Sequence, residues 1–226
     1  MSPLETFPDD WSRALVLVAH PDDPEYGMAA AVAKWTAEGR EVVYALASSG
    51  EKGIEGMPPA EAGPLREGEQ RASASVVGVD DVEFWGFPDS DLRNNPELRA
   101  AVVEAIERVQ PDVVVSLYGG AEWAPGLANQ RDHMEFAQAV VDAWDSLDAP
   151  PRWLFANSPG STHAVDVTAF TDKAVESLAK HDVYLKVLDP GTPVVDQAKA
   201  QVDMTAKRLD GFDAERATGF TLLRKS

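Results

Sequence analysis

The residues at 20–25, His-Pro-Asp-Asp-Pro-Glu, place one imidazole and three carboxylates in a single short segment. One interpretation is helix capping, with Asp22 or Asp23 as the N-cap and Glu25 near the positive end of the helix dipole. Capping needs only one Asp, however. A His and an Asp three residues apart on a turn can also converge on one cation, which leaves the second Asp to face whatever that cation activates. The segment therefore predicts either a capped helix or a metal or catalytic site.

A second cluster, Asn-Gln-Arg-Asp-His, occupies residues 129–133. It too can be interpreted as a cap, with Asp132 as the N-cap of a helix and His133 as a surface residue of its first turn. If the strands that precede the two clusters are neighbours, His20, Asp23 and His133 come within reach of one another. Two His and one carboxylate with an open fourth position are typical of a catalytic zinc site. Such a site acidifies water and polarises a carbonyl, which is hydrolytic chemistry.

Both clusters lie between a predicted strand and a predicted helix. Short apolar runs predict strands at 14–19, 42–47, 82–85, 113–118, 153–156 and 165–167. Further patterns predict helices at 25–38, 65–77, 96–109, 132–147, 170–180 and 194–208. This alternation indicates an α/β fold with a Rossmann-like, mostly parallel sheet flanked by helices, in a single domain over residues 1–226.

The segments 50–64 and 119–129 are rich in Gly and Pro and resist assignment to a helix or strand. Each follows the carboxyl end of a predicted strand, and open α/β sheets bind their ligands at that edge. Long loops in compact domains are also more often functional than accidental. We therefore expect both loops to border a site, the alternative being that they are tolerated surface insertions.

The charge of the chain argues against two classes of partner. Its 226 residues include 20 Lys and Arg against 38 Asp and Glu, a net charge of −18. Nucleic acid and anionic membrane surfaces are bound mainly through Lys and Arg, so neither is an expected partner. No apolar run approaches the roughly 18 residues of a membrane span, and the acidic N-terminal residues do not resemble a leader. The expected location is the cytoplasm.

The chain contains no cysteine. This excludes disulfides, thiolate metal ligands and cysteine nucleophiles, so a metal would be held by His, Asp or Glu. Only four histidines are present, His20, His133, His163 and His181. His181 follows a predicted helix and is interpreted as a cap that interacts with the helix dipole. The sequence also lacks the G-x-S-x-G, G-x-x-x-x-G-K-[S/T], G-x-G-x-x-G and H-E-x-x-H motifs of other enzyme classes.

The run at 19–25, AHPDDPE, resembles the AHPDDxE signature of the PIG-L or LmbE-like deacetylase family. Further segments resemble that family's motifs in the same order: Ser49-Gly50-Glu51, Arg66 with Glu69, Gly86-Phe87-Pro88-Asp89, and Asp132-His133. Together these matches span about residues 14–181, most of the chain. The resemblance implies a Rossmann-like fold and a metal-dependent deacetylase.

The resemblance also implies roles for single residues. His20, Asp23 and His133 would hold one divalent metal, usually zinc, although a His/His/Asp set suits several divalent ions. Asp22 would be the general base that deprotonates the water bound to that metal. In the family this water attacks the N-acyl carbonyl of an amino sugar, so the expected partner is a small N-acetylglucosaminyl-type conjugate that yields an amine and acetate.

Two alternative functions stay open. One is an amidase that acts on a non-sugar or thiol-conjugate amide. The other is a degenerate, non-catalytic member that binds a sugar or a metal. The second is suggested by Gln130, because many family members have a His at this position, where an imidazolium would assist the oxyanion or the leaving group. Tyr118 or His163 is a candidate to replace it, and a homo-oligomer is compatible with every alternative.

Four more residues are candidates for the substrate side of the site. By the resemblance, Glu51, Arg66 and Asp89 would face the sugar hydroxyls or a charged aglycone, and otherwise they are ordinary solvated charges. Trp123, in the second Gly- and Pro-rich loop, is a candidate for stacking on a sugar ring.

Overall fold

The structure, a computed structural model, describes residues 3–226. The strands are β1 (Glu5–Thr6), β2 (Arg13–Val18), β3 (Glu41–Leu46), β4 (Asp81–Phe84), β5 (Val113–Ser116), β6 (Glu122–Ala124), β7 (Leu127–Ala128), β8 (Trp153–Asn157), β9 (His163–Asp166) and β10 (Ala217–Lys225). The helices are α1 (Asp23–Gly27), α2 (Ala29–Ala37), α3 (Pro59–Val76), α4 (Pro96–Val109), α5 (Arg131–Asp145), α6 (Thr171–Leu178), α7 (Asp182–Leu188) and α8 (Val194–Thr205).

Eight strands form one sheet in the order β1-β9-β10-β8-β5-β2-β3-β4. Strands β4, β3, β2, β5 and β8 are parallel to one another, whereas β10 runs antiparallel between β8 and β9. The sheet is therefore mostly parallel, as predicted. The pairing of β2 with β5, from Ala14↔Val113 to Leu17↔Ser116, also confirms that the strands before the two clusters are neighbours.

The burial of the central strand β2 accounts for its apolar sequence. Residues 14–18, ALVLV, are completely buried, because helices cover both faces of a parallel sheet and leave no polar face to the strand. Around β8 and β10, the rings of Phe7, Trp35, Phe155 and Phe220 pack with centroid separations of 4.4–5.6 Å.

Three local predictions are wrong in their detail. The predicted helix at 25–38 is interrupted at Met28, which separates α1 from α2. Helix α3 starts at Pro59, within the segment assigned to a loop, and tolerates Pro64 inside it. The segment 119–129 contains a two-stranded hairpin of β6 and β7, which turns through Gly126 with a φ of 80°.

The sequence pattern also missed β10 and α7. None of the helices among residues 3–226 combines the length and the apolar character that crossing a bilayer requires.

Candidate metal centre

The turn between β2 and α1 directs two adjacent carboxylates in different directions. Asp22 has a left-handed backbone, with φ 81° and ψ −23°, and its carbonyl accepts the N–H groups of Glu25 and Tyr26 at 2.9 Å. The Oδ2 atom of Asp23 accepts the backbone N–H groups of Ala19 at 3.0 Å and His20 at 2.8 Å. The turn is thus closed by its own hydrogen bonds.

Capping does not explain either cluster. Asp22 occupies the N-cap position of α1, but its side chain makes no capping hydrogen bond. The N-cap of α5 is Gln130 rather than Asp132, and it makes none either. The side chains of both clusters are therefore used for other contacts.

His20, Asp23 and His133 converge between the ends of β2 and β5. The Nε2 atom of His133 lies 3.0 Å from Asp23 Oδ1, and His20 Nδ1 lies 3.7 Å from Asp23 Oδ2. One donor atom from each of the three residues lies within 4.8 Å of the other two. Both histidines are 7% exposed, so the donors are screened from bulk water but border the strand edge.

The tautomer of His133 shows that this donor set fits a cation. Asn129 Nδ2 donates to the carbonyls of Tyr118 and Gly120, both at 2.8 Å, so Asn129 Oδ1 is the acceptor that faces His133 Nδ1 at 3.1 Å. Nδ1 then carries the proton, and the buried Nε2 has no hydrogen-bond partner. Its lone pair points at the carboxylate of Asp23, an arrangement that a divalent cation between the two would satisfy.

His20 is oriented from its other ring nitrogen. Its Nε2 atom lies 3.2 Å from Asp132 Oδ2 and 3.3 Å from Asp89 Oδ1, which leaves Nδ1 on the side of Asp23. Burial alone lowers the pKa of His20, but the bonds to Asp132 and Asp89 raise it to about 10. Burial likewise raises the pKa of Asp23, but its contacts with the His133 and His20 rings outweigh burial and lower the value to about 2. The cluster thus favours a positive charge at its centre.

Asp22 lies beside this cluster and is paired with Arg66. Arg66 Nη2 donates to Asp22 Oδ2 at 3.0 Å and to the carbonyl of Pro21 at 2.8 Å, while Nη1 donates to the carbonyl of Gly50 at 3.0 Å. A Cβ atom at Gly50 would lie 2.1 Å from Nη1, which explains the glycine. Arg66 is 3% exposed, and its guanidinium lies 4.4 Å from the ring centroid of Tyr184.

Arg66 therefore lies within the protein, and its interpretation as an ordinary solvated charge is wrong. Burial raises the pKa of Asp22 to about 6, against the lowering effect of the Arg66 charge. A carboxyl group in that range can both accept and return a proton near neutral pH.

The PIG-L family, described as GlcNAc-PI de-N-acetylase, matches residues 15–144, more than half of the chain and a span that includes the whole donor set. The chain belongs to the PIG-L family. Its resemblance to that family, predicted from the AHPDDPE run, is thereby confirmed.

Relatives of this PIG-L member are deacetylases. The probable N-acetyl-alpha-D-glucosaminyl L-malate deacetylase 2 of Bacillus anthracis is 28% identical over 186 residues, 75% of this chain and 80% of that protein. The 1D-myo-inositol 2-acetamido-2-deoxy-alpha-D-glucopyranoside deacetylase of Streptomyces griseus is 32% identical over 168 residues, 61% of this chain and 52% of that protein. The predicted deacetylase function agrees with these relatives.

A solved structure supports the fold. N,N'-diacetylchitobiose deacetylase from Pyrococcus horikoshii superimposes with a TM-score of 0.81 at 19% identity, over 95% of this chain and 84% of that one. The α/β architecture predicted for this PIG-L chain is confirmed.

Two predicted substrate residues of the PIG-L site fasten its loops to each other. Glu51 Oε1 accepts the backbone N–H of Asp89 at 2.9 Å. In return, Asp89 Oδ2 accepts the N–H of Lys52 at 2.7 Å, and Lys52 Nζ donates to the Asp89 carbonyl at 2.8 Å. Because Asp89 also contacts His20, this clamp links the loop after β3 and the segment after β4 to the candidate metal donors.

The remaining substrate-side predictions separate into two groups. Tyr118 and Trp123 pair with ring centroids 5.1 Å apart at the hairpin beside the site, and the exposed Gln130 precedes α5. His163, by contrast, lies on β9, with three strands between it and β2. Its Nε2 faces Glu5 at 3.5 Å and its ring packs against Phe155. The structure therefore does not bring His163 to the metal donors, and it is no substitute for the missing imidazolium.

The sequence did not predict the roles of Asn129 and Asp132, since Asp132 was interpreted through capping and motif order and Asn129 was assigned no role. We expect Asn129→Ala to weaken the affinity for a divalent metal by about 10-fold to 100-fold, because His133 loses the acceptor that fixes its tautomer. Competition against a chelating dye measures this.

The matched control for Asn129 is Asn95→Ala, which removes the N-cap of α4 by deleting the acceptor for Leu98 N–H. It should lower stability by about 1 kcal/mol and leave metal affinity unchanged. Equal metal affinity in wild type and Asn129→Ala would contradict the tautomer assignment.

Proposed function

We propose that this chain is a metal-dependent N-deacetylase that hydrolyses the N-acetyl group of an N-acetylglucosaminyl-type small molecule. The observation that carries the proposal is that one turn places a candidate metal donor, Asp23, next to a second carboxylate, Asp22, that is free to move a proton. On one side, the lone pair of His133 Nε2 faces Asp23 at 3.0 Å without a proton donor between them. On the other, Asp22 presents a carboxylate that belongs to no metal donor set and is tuned by Arg66.

The residues that would hold the cation are His20, Asp23 and His133. A divalent cation bound there would polarise the acyl carbonyl and lower the pKa of a water molecule. We propose zinc as that cation, because two His and one carboxylate with an open position are typical of catalytic zinc. Metal analysis of the purified protein tests this choice.

Asp22 moves the proton in the proposed reaction. Its Oδ2 atom is held by Arg66 Nη2, which leaves Oδ1 to take a proton from the water that attacks the acetyl carbon. When the C–N bond breaks, the same oxygen returns the proton to the leaving nitrogen, so that an amine and acetate are released. Arg66 orients this carboxylate through its hydrogen bond to Oδ2.

The substrate contacts of Glu51, Asp89, Tyr118, Trp123 and Gln130 stay predictions. The Gln130 amide can donate a hydrogen bond to the developing oxyanion, although it lacks the charge of an imidazolium. A cytoplasmic location and a homo-oligomer likewise stay predictions from the sequence.

The direct test is release of amine and acetate from a panel of N-acetylglucosamine conjugates by the purified holoenzyme. We expect both products in equal amounts, loss of turnover after chelation, and recovery when zinc is added back. N-acyl compounds without a sugar are included in the panel. Turnover restricted to these would favour the amidase, and sugar binding without any turnover would favour a non-catalytic member, as Gln130 suggests.

A further inference from the structure

The backbone of Asp22 is held in a conformation that residues other than glycine rarely adopt. Its φ of 81° is one of three positive values among non-glycine residues 3–226. Such a conformation persists only where its surroundings fix it, and functional sites are where it commonly occurs. The hydrogen-bond partner of the Asp22 N–H is therefore a candidate to hold this conformation.

That partner is a side chain from another helix. The Asp22 N–H donates to Oε1 of Gln70 at 2.8 Å, and Gln70 lies on α3 with no exposed surface. The Nε2 atom of Gln70 donates to both carboxylate oxygens of Glu25, at 3.1 and 3.2 Å. Because a carboxylate only accepts, the amide nitrogen must face Glu25 and the amide oxygen must face Asp22.

Glu25 also contacts a buried histidine. Its side chain is completely buried, and Oε2 lies 3.4 Å from Nε2 of His181, whose side chain is equally buried. A buried carboxylate is unfavourable unless it is paired. Glu25 lies in the first turn of α1, as its interpretation as a partner of the helix dipole requires, but its side chain also belongs to this buried chain of contacts. The interpretation of His181 as a cap of the preceding helix is wrong, because the C-cap of α6 is Ala179 and the buried side chain of His181 contacts Glu25.

We propose that Gln70 is a positioning residue for Asp22, and that Glu25 and His181 fix the orientation of its amide. Gln70 holds the left-handed turn that points Asp23 towards His133 while Asp22 faces the substrate side. This inference rests on the proposed function, since Gln70 acts on the reaction only through Asp22.

The packing of α3 does not depend on Gln70 alone. Ser73, three residues further along the same helix, donates to the carbonyl of Ser177 at 2.8 Å, and Ser177 Oγ donates back to the Ser73 carbonyl at 3.0 Å. These bonds join α3 to α6 about one helical turn from Gln70. Ser73→Ala is therefore a matched control that removes a buried polar contact of the same helix without touching Asp22.

The test exchanges the two side chains between Gln70 and Glu25. Gln70→Glu places two carboxylates against each other and should lower kcat by about 100-fold, the cost of a misplaced catalytic group. KM should stay within about twofold and metal content should be unchanged. The double variant Gln70→Glu/Glu25→Gln rebuilds the same pattern. The carboxylate at position 70 accepts the Asp22 N–H, and the amide at position 25 donates to that carboxylate. We expect kcat to return to within about tenfold of wild type.

A second readout does not need turnover. In Gln70→Leu, amide hydrogen exchange at Asp22 should be about tenfold faster than in wild type, the ratio that corresponds to one net hydrogen bond of ordinary strength. Ser73→Ala should lower the melting temperature but leave kcat and the exchange at Asp22 unchanged.

Two results would overturn the positioning role: wild-type kcat in both Gln70 variants, or a loss of kcat in Ser73→Ala as large as that in Gln70→Glu. A wild-type enzyme without deacetylase activity would instead overturn the proposed function. The exchange experiment would still decide whether Gln70 holds Asp22.

Discussion

Replacing Asp22 by Asn is expected to lower kcat by about 100-fold to 10,000-fold without releasing the metal. The Asn side chain has the same shape, and its oxygen can accept the Arg66 Nη2 hydrogen bond that Asp22 Oδ2 accepts now at 3.0 Å. It cannot take up a proton, so the proposed general base is removed while the turn is kept. Steady-state kinetics together with metal analysis of the same preparation measure both quantities.

The neighbouring carboxylate provides the sharpest comparison. Asp23→Asn should lose metal and turnover together, because Asp23 is a proposed metal donor and Asp22 is not. Asp145→Asn serves as the control for a surface change, since Asp145 pairs with Arg224 at the far end of α5 and should leave both quantities unchanged. Retention of more than about a tenth of wild-type kcat in Asp22→Asn would show that another group moves the proton.

The different contacts of the adjacent residues Asp22 and Asp23 depend on the backbone conformation of Asp22. Asp22 has a left-handed conformation, with a φ of 81°, directly before α1, and the side chains of Asp22 and Asp23 contact different partners. The carboxylate of Asp23 contacts His133 and the carboxylate of Asp22 contacts Arg66. The sequence shows that two carboxylates are adjacent, but not that the backbone separates their roles.

The predictable part of the fold followed from strong local signals. The apolar run of β2 and the alternation of strands and helices predicted a parallel sheet, and the pairing of β2 with β5 then brought His20 and Asp23 to His133. Strand β10 was missed because its sequence, ATGFTLLRK, contains a glycine and ends in two charges, so the pattern of a fully buried strand is absent. It is also antiparallel, and its burial depends on β8 and β9 rather than on its own residues.

Contacts between distant residues account for the part of the site that could not be predicted. Arg66 is buried because it meets Asp22, which lies 44 residues away in the chain. Two buried histidines also had no local signal to tell them apart. His163 lies on a remote strand against Phe155, whereas His181 contacts Glu25 next to the turn between β2 and α1. Only the packing of α3, α6 and α7 against that turn decides which histidine is connected to the site.

His133→Ala is expected to abolish metal binding, and the effect on stability should depend on whether metal is present. In the metal-free chain the substitution removes both the Nδ1 hydrogen bond to Asn129 and the lone pair that faces the carboxylate of Asp23. The two effects on stability oppose each other, so the melting temperature should change by only a few degrees. With metal at about 100 times the dissociation constant, wild type gains about 2.7 kcal/mol from binding, or roughly 5–10 °C for a chain of this size. His133→Ala should gain nothing, because its donor set is incomplete.

Thermal unfolding with added zinc and with a chelator measures this difference, and metal analysis of the same samples provides the stoichiometry. His163→Ala is the matched control, since it removes a histidine that is also 7% exposed but lies on β9, with three strands between it and β2. It should lower the melting temperature in both conditions by the loss of packing against Phe155, yet keep the full response to zinc. A zinc response in His133→Ala as large as that of wild type would mean that the metal is held by other residues, and its loss in His163→Ala would mean that the response reflects general stability rather than a site.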